Sequence, residues 1–213
     1  MDMFQRIDAQ QLDLLKEVGN IGAGNAATAL STMLNKTIEM NVPSVNVVPF
    51  NQMTETVGGD EAVVVAIFLR IEGECPGNLF FMLPVGEATV LIQNLIGEEQ
   101  VDFSNPPVSE LAASAMQEVG NILAGSYLSS LSDFTKIPLQ PSVPALAVDM
   151  TMAILSHGLI EISKVGDYAI VIETEIKEET AKNETKTTGH FFLLPDPESF
   201  AIIFNALGVD TDE

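Results

Sequence analysis

The chain has 213 residues and a mass of 22.8 kDa, enough for one large domain or two small ones with a real core. Lys and Arg number 9 against 30 Asp and Glu, a formal net charge of −21, yet only 18% of residues are charged and 46% are hydrophobic. Acids on so apolar a chain decorate a folded body, not a disordered tail, and the scarcity of Lys and Arg excludes grip on a nucleic-acid backbone or an anionic membrane. Cys75 is the only cysteine, so no intrachain disulfide and no multi-cysteine metal site is expected. The first residues, Met1 to Arg6, lack the basic-then-apolar pattern of a signal peptide. The longest candidate membrane run, Ala62 to Leu69, falls far short of the roughly 20 residues that span a bilayer. A cytoplasmic protein in a reducing compartment is expected, with no membrane insertion and no nucleic-acid partner.

In chain order, Asp8 and Gln11 read as a capping box opening a helix from Ala9 to Asn35. A Pro-punctuated, β-branched run, Ile38 to Val48, follows. Ala62 to Ile71 and Asn78 to Leu83 flank Cys75-Pro76-Gly77 and predict a hairpin. A short helix, Val85 to Ile96, stops at Gly97. The polar stretch ending Asn105-Pro106-Pro107 reads as a connector, and Pro107 suits the first turn of a second long helix running to Phe134. Another Pro-punctuated run, Ile137 to Val148, leads to an additional helix from Met150 to Ser163 behind an Asp149 cap. Tyr168 to Lys177 and His190 to Leu194 read as strands joined by a long, solvated Lys/Glu/Thr loop. Pro197 to Leu207 closes the chain as a short helix before Gly208.

The chain is written twice. Glu17-Val18-Gly19-Asn20-Ile21 recurs as Glu118-Val119-Gly120-Asn121-Ile122, and Val42-Pro43 as Val143-Pro144, all 101 residues apart. Phe80-Phe81-Met82-Leu83-Pro84 echoes Phe191-Phe192-Leu193-Leu194-Pro195 at an offset of 111, which places the extra residues at 149–166 and in the polar stretch 177–189. The expected architecture is therefore α+β: a tandem duplication of a helix–strands–helix unit with pseudo-two-fold symmetry, its long helices packed over an antiparallel-rich sheet. The first repeat spans 1–97, the connector 98–106 and the second repeat 107–213.

On a helix, Asp13, Glu17, Asn20 and Gly24 share one narrow stripe, while Leu14, Leu15, Val18 and Gly22 turn toward the core. Ser114, Glu118, Asn121 and Gly125 repeat the stripe in the second copy. Polar residues at such spacing ordinarily mark the wet side of an amphipathic helix, but two copies of one Glu–Asn pattern are harder to explain that way, and Asn is a poor helix former. Gly19, Gly22 and Gly24 each cost about 0.8–1 kcal/mol in a helix interior. Close packing accounts for Gly19 and Gly22, whereas Gly24 and Gly125 lie on the stripe, where a missing side chain lets another molecule approach. No strand precedes this glycine string and no Lys-Ser/Thr follows, so it is not a phosphate loop. A carboxylate can bind a partner's cation, and a carboxamide can hold a water through donor and acceptor together. That suits hydrolysis of an already reactive bond, as the water-orienting glutamine of small GTPases does. One glutamate per stripe excludes a two-carboxylate glycosidase, and the chain lacks a G-x-S-x-G elbow.

These residues resemble the CheC–FliY–CheX family of chemotaxis phosphatases. The family signature is an acid or serine, three residues, Glu, two residues, Asn, then twenty-two residues to a Pro. It reads here as Asp13…Glu17…Asn20…Pro43 and as Ser114…Glu118…Asn121…Pro144. The resemblance implies an enzyme that hydrolyses the aspartyl phosphate of the response regulator CheY. Asn20 and Asn121 would align the attacking water, and Glu17 and Glu118 would pair with the regulator's active-site lysine. Asp13 and Ser114 would contact the partner or support the helix, and at Gly24 and Gly125 the partner would approach the helix closely. The chain would need no cofactor or metal of its own, because the Mg²⁺ belongs to the regulator's site. The receptor deamidase CheD is a second implied partner, and a monomer is expected. Two other classes stay open: a non-catalytic adaptor that sequesters CheD or phosphorylated CheY, and a flagellar-switch component like the FliM middle domain. Cys75 reads as a turn or partly buried thiol, His157 and His190 as structural or surface residues, and the nine methionines as core filler.

Overall fold

A computed structural model describes residues 7, 9–105, 107–160, 168–179 and 184–208. In order, the elements are α1 (Ala9–Leu34), β1 (Thr37–Asn41), β2 (Val45–Pro49), two 3-10 turns at Phe50–Gln52 and Thr54–Val57, β3 (Val63–Gly73), β4 (Gly77–Pro84) and α2 (Val85–Ile96). The second half continues with α3 (Glu110–Thr135), β5 (Leu139–Pro141), β6 (Ala145–Met150), α4 (Thr151–Ile160), β7 (Tyr168–Glu179), β8 (Glu184–Pro195) and α5 (Pro197–Ala206). The Asp8 cap of α1 lies outside the described residues. At its other end α1 stops where Asn35 turns left-handed, with φ 52°, a conformation Asn tolerates better than most side chains.

The eight strands form one antiparallel sheet in the order β1-β7-β8-β4-β3-β5, with β2 also on β7 and β6 also on β3. The halves meet at β4 and β8 and exchange their short strands. β1 and β2 of the first half pair with β7 of the second, while β5 and β6 of the second pair with β3 of the first. Local two-fold axes of an antiparallel pair run through the centres of facing residue pairs, and here Phe80 faces Phe192. Phe81 likewise faces Phe191 and Leu79 faces Leu193, so residues related through such a pair are an even number apart, not the 111 of the Phe-Phe-x-Leu-Pro echo. Phe80 turns to one side of the sheet and Phe191 to the other, so the matching letters are not matching positions. The helices select 112: Ala88, Leu91, Ile92 and Leu95 of α2 are buried like Phe200, Ile203 and Phe204 of α5 and Leu207 directly after it, 112 residues on (88 to 200).

The main core lies between one sheet face and α1, α2, α3 and α5, with Phe81 and Phe191 stacked near its centre, centroids 4.6 Å apart. A smaller core on the other face gathers Met53, Val57, Phe80, Phe192 and the α4 residues Ile154 and Leu155. Arg70 of β3 holds both oxygens of Asp196, at 2.9 and 2.5 Å, and so ties the start of α5 to the sheet.

Several expectations from the sequence need correction. The second long helix starts at Glu110, not near Pro107: Ser109 is its cap, its hydroxyl accepting from the Ala112 N–H at 3.2 Å. The polar stretch 177–189 is not a long loop, because β7 and β8 pair as far as Glu179 and Glu184. Thr185, Thr187 and Thr188 are β-branched, Lys186 bridges across to Glu175 at 2.6 Å, and Lys36, between α1 and β1, reaches Glu178 at 2.9 Å. Met53, Met82 and Met116 do fill the core, but Met33, Met150 and Met152 are exposed. Cys75 is buried in the β3–β4 turn, as read, and burial raises its thiol pKa, with Glu74 adding to the shift.

Candidate functional site

The stripe on α1 forms because that helix buries Leu15, Val18, Gly22, Ala23 and Ala26 at helical spacing, leaving the opposite side to solvent. Asp13, Glu17 and Gly24 are exposed and Asn20 is half-buried. Asn20 does not project freely. Its Oδ1 accepts the Val42 N–H at 2.8 Å, and its Nδ2 donates to the Lys16 carbonyl at 3.0 Å and toward the Val42 carbonyl at 3.5 Å. A donor facing Oδ1 and acceptors facing Nδ2 fix which end of the carboxamide is which. Val42 is 2% exposed, and its Cγ2 sits 3.4 Å from where a Cβ on Gly19 would stand. The connection from β1 to β2 thus leans on α1 beside Gly19, where a Cβ would meet it at ordinary contact distance.

α3 buries Ala112, Met116, Val119, Gly120, Leu123 and Ala124 and presents Ser114, Glu118 and Asn121 exposed, with Gly125 half-buried. Both stripes therefore exist as read, each bringing its four residues onto one helix face. The surroundings differ. Val143, which matches Val42, is 88% exposed, and among the described residues nothing bonds the Asn121 carboxamide. The anchoring of the two connections explains this. In the first copy the anchor falls after the proline, where Ser44 accepts from the Glu173 N–H at 3.0 Å and its hydroxyl donates to the Glu173 carboxylate at 2.7 Å. In the second it falls before the proline, where Ser142 exchanges hydrogen bonds with the Arg70 backbone at 2.8 and 2.9 Å. Val143 is left standing clear.

The glycines divide as the sequence suggested. A Cβ on Gly22 would stand 3.0 Å from the Tyr127 Cα, so α1 and α3 cross closely there, and one on Gly120 would stand 2.7 Å from Ile67. A Cβ on Gly24 or Gly125 would meet nothing within 4 Å. Internal packing accounts for the first pair and leaves the second pair unexplained. Ile21, 54% exposed, lies one turn beyond Glu17 and presents an apolar side chain beside the stripe that the sequence reading did not single out. The Val42 peptide was also missed. Its only trace in the sequence is the fixed interval from Asn20 to Pro43.

Among the described residues no three of His, Cys, Asp and Glu come together as a metal site, and no helix is long and apolar enough to cross a membrane. His190 lies on β8 opposite Glu173, away from both stripes. Burial lowers its pKa, and Glu173 partly offsets the shift. His157 lies on α4.

Two Glu–Asn helices on a two-fold antiparallel sheet define a class. The model of the CheC-like family matches residues 11–47 and again 111–148, and the chain belongs to that family. It is 44% identical over 208 residues to the CheY-P phosphatase CheC of Bacillus subtilis, covering 98% of this chain and 99% of that protein. The X-ray structure of Thermotoga maritima FliY matches with a TM-score of 0.70 and 21% identity, over 95% of this chain and 98% of that one. The FliM middle domain of Helicobacter pylori matches with a TM-score of 0.61 and 12% identity, over 94% and 99%. At those identities the two structures speak for the fold alone.

Proposed function

We propose that this protein hydrolyses the aspartyl phosphate of a phosphorylated CheY-type response regulator at two sites, one on α1 and one on α3. The observation that carries the reading is the Glu–Asn stripe formed twice on a solvent-facing helix side, on a chain alike over its full length to a CheY-P phosphatase. Glu17 and Glu118 dock the regulator's lysine. The Oδ1 of Asn20 or Asn121 accepts a hydrogen bond from the attacking water and holds it in line with the P–O bond to the aspartate. The new P–O bond forms as the aspartyl P–O bond breaks, giving inorganic phosphate and a free carboxylate, and the water's protons pass to phosphate and solvent. The Mg²⁺ that offsets the phosphoryl charge is the regulator's own. Gly24 and Gly125 let the partner approach the helices, and Asp13 and Ser114 contact it at the rim. By the same resemblance the chain also binds CheD, and it works in the cytoplasm as a monomer.

The test follows loss of phosphate from a phosphorylated CheY-type regulator with Mg²⁺, with and without this protein. Wild type accelerates the loss, and the folded double variant Asn20→Ala/Asn121→Ala leaves it at the regulator's own rate. A double variant as fast as wild type overturns the catalytic assignment. Tight binding by folded wild type without acceleration makes the protein an adaptor instead.

A further inference from the structure

We infer that the Val42 peptide is a positioning element for Asn20, so that the first site has its carboxamide set before substrate arrives while the second does not. The functional half of this rests on the phosphatase reading above, and the structural half does not. An asparagine carboxamide offers two N–H donors and two oxygen lone pairs. In the first copy Val42 and Lys16 take both donors and one lone pair. One lone pair of Oδ1 is left, which is the acceptor an attacking water needs, on a group whose rotation is already fixed. Fixing a side chain in its working orientation in advance removes that cost from the reaction.

The element also gives the interval between Asn20 and Pro43 a physical meaning. The partner of Asn20 is residue 42, directly before the proline. A proline restricts the residue ahead of it to extended backbone, so Pro43 holds the Val42 N–H and carbonyl in one orientation. Ser44, anchored to Glu173 on both backbone and side chain, fixes the far side, and the Val42 side chain lies against α1 at Gly19. The second copy keeps the letters without the clamp: Val143 is exposed and Asn121 stands free among the described residues. One motif thus occurs in two arrangements within a single chain.

Two readouts test this. Amide hydrogen exchange reports the clamp without any substrate: the Val42 N–H is protected in wild type and exchanges about tenfold faster in Asn20→Ala, whereas Val143 is unaffected by Asn121→Ala. Kinetics report the role. In an Asn121→Ala background, where only the first site works, Pro43→Ala lowers kcat about fivefold and leaves KM within about twofold. In an Asn20→Ala background the matching Pro144→Ala leaves kcat within about twofold. If Pro43→Ala fails to fold, Ser44→Ala, which loosens the same connection from its far side, is read in its place. Unchanged Val42 exchange in Asn20→Ala overturns the clamp, and equal kinetic effects of Pro43→Ala and Pro144→Ala overturn the positioning role. If wild type does not accelerate phosphate loss at all, the phosphatase reading falls and the positioning role with it, while exchange still reports whether the hydrogen bond exists.

Discussion

The two long helices carry the same five letters, Glu-Val-Gly-Asn-Ile, and meet different neighbours. Gly19 of α1 faces Val42 and the Tyr127 ring, whereas Gly120 of α3 is pressed onto Ile67 of β3. Val42 is buried where Val143 is almost fully exposed. Tyr127 is one source of the difference. It stands where the other copy has Ala26, and its backbone fills the space that Gly22 leaves on α1. Its hydroxyl bonds Thr174 of β7 at 2.9 Å, and its ring lies 4.7 Å from Phe191. A motif can thus fix which side chains share a helix face, while residues outside it decide what those side chains touch.

The comparison breaks most readily at the glycines. Gly120→Ala forces a Cβ into the branched, fully buried Ile67 and should destabilise the fold by about 1–3 kcal/mol. Gly19→Ala meets Val42 at ordinary contact distance and gains helix propensity, so it should be neutral or stabilising by up to about 1 kcal/mol. Urea unfolding of the two variants side by side checks this. Equal losses would mean that the two helices sit alike on the sheet.

Tyr127 sharpens the comparison through pH. Burial pushes its hydroxyl up to about 12 from the ordinary 10.0, against a smaller opposing effect of the Thr174 bond. The folded chain therefore keeps a proton that the unfolded chain releases, so this contribution is full below pH 10 and is lost as pH rises from 10 through about 12. Tyr127→Phe should remove that alkaline slope. At neutral pH it should cost about 1–2 kcal/mol, because Thr174, fully buried, loses its partner. Stability curves of both proteins from pH 8 to 12 show whether this anchor, peculiar to the second copy, holds α3 in place.

Much of this was legible in the sequence because it is local. The helical period gave both stripes and their buried backs, Gly97 ended α2 as read, and the β3–β4 hairpin followed from two apolar runs around Cys75-Pro76-Gly77. Non-local pairing was not legible. Nothing in Ile38 or Leu146 says that its strand will pair with the other half of the chain. The polar ends of β7 and β8 looked like a loop because Lys, Glu and Thr carry little hydrophobic alternation, although the diagonal Lys186–Glu175 ion pair ties the two strands together. At the site, the helix period revealed Glu17, Asn20, Glu118 and Asn121 as neighbours but not the Val42 peptide, since a backbone group leaves no letter of its own. Only the proline behind it marks the place.

The most direct measurement sets the two single-site proteins against each other: kcat for phosphate release from one phosphorylated regulator by Asn121→Ala, which keeps the α1 site, and by Asn20→Ala, which keeps the α3 site. Both should accelerate release, and the α1 site with its held carboxamide should be about fivefold faster at saturation. A faster α3 site, or single variants as inactive as the double, would contradict the account of two independent sites with the first one set in advance.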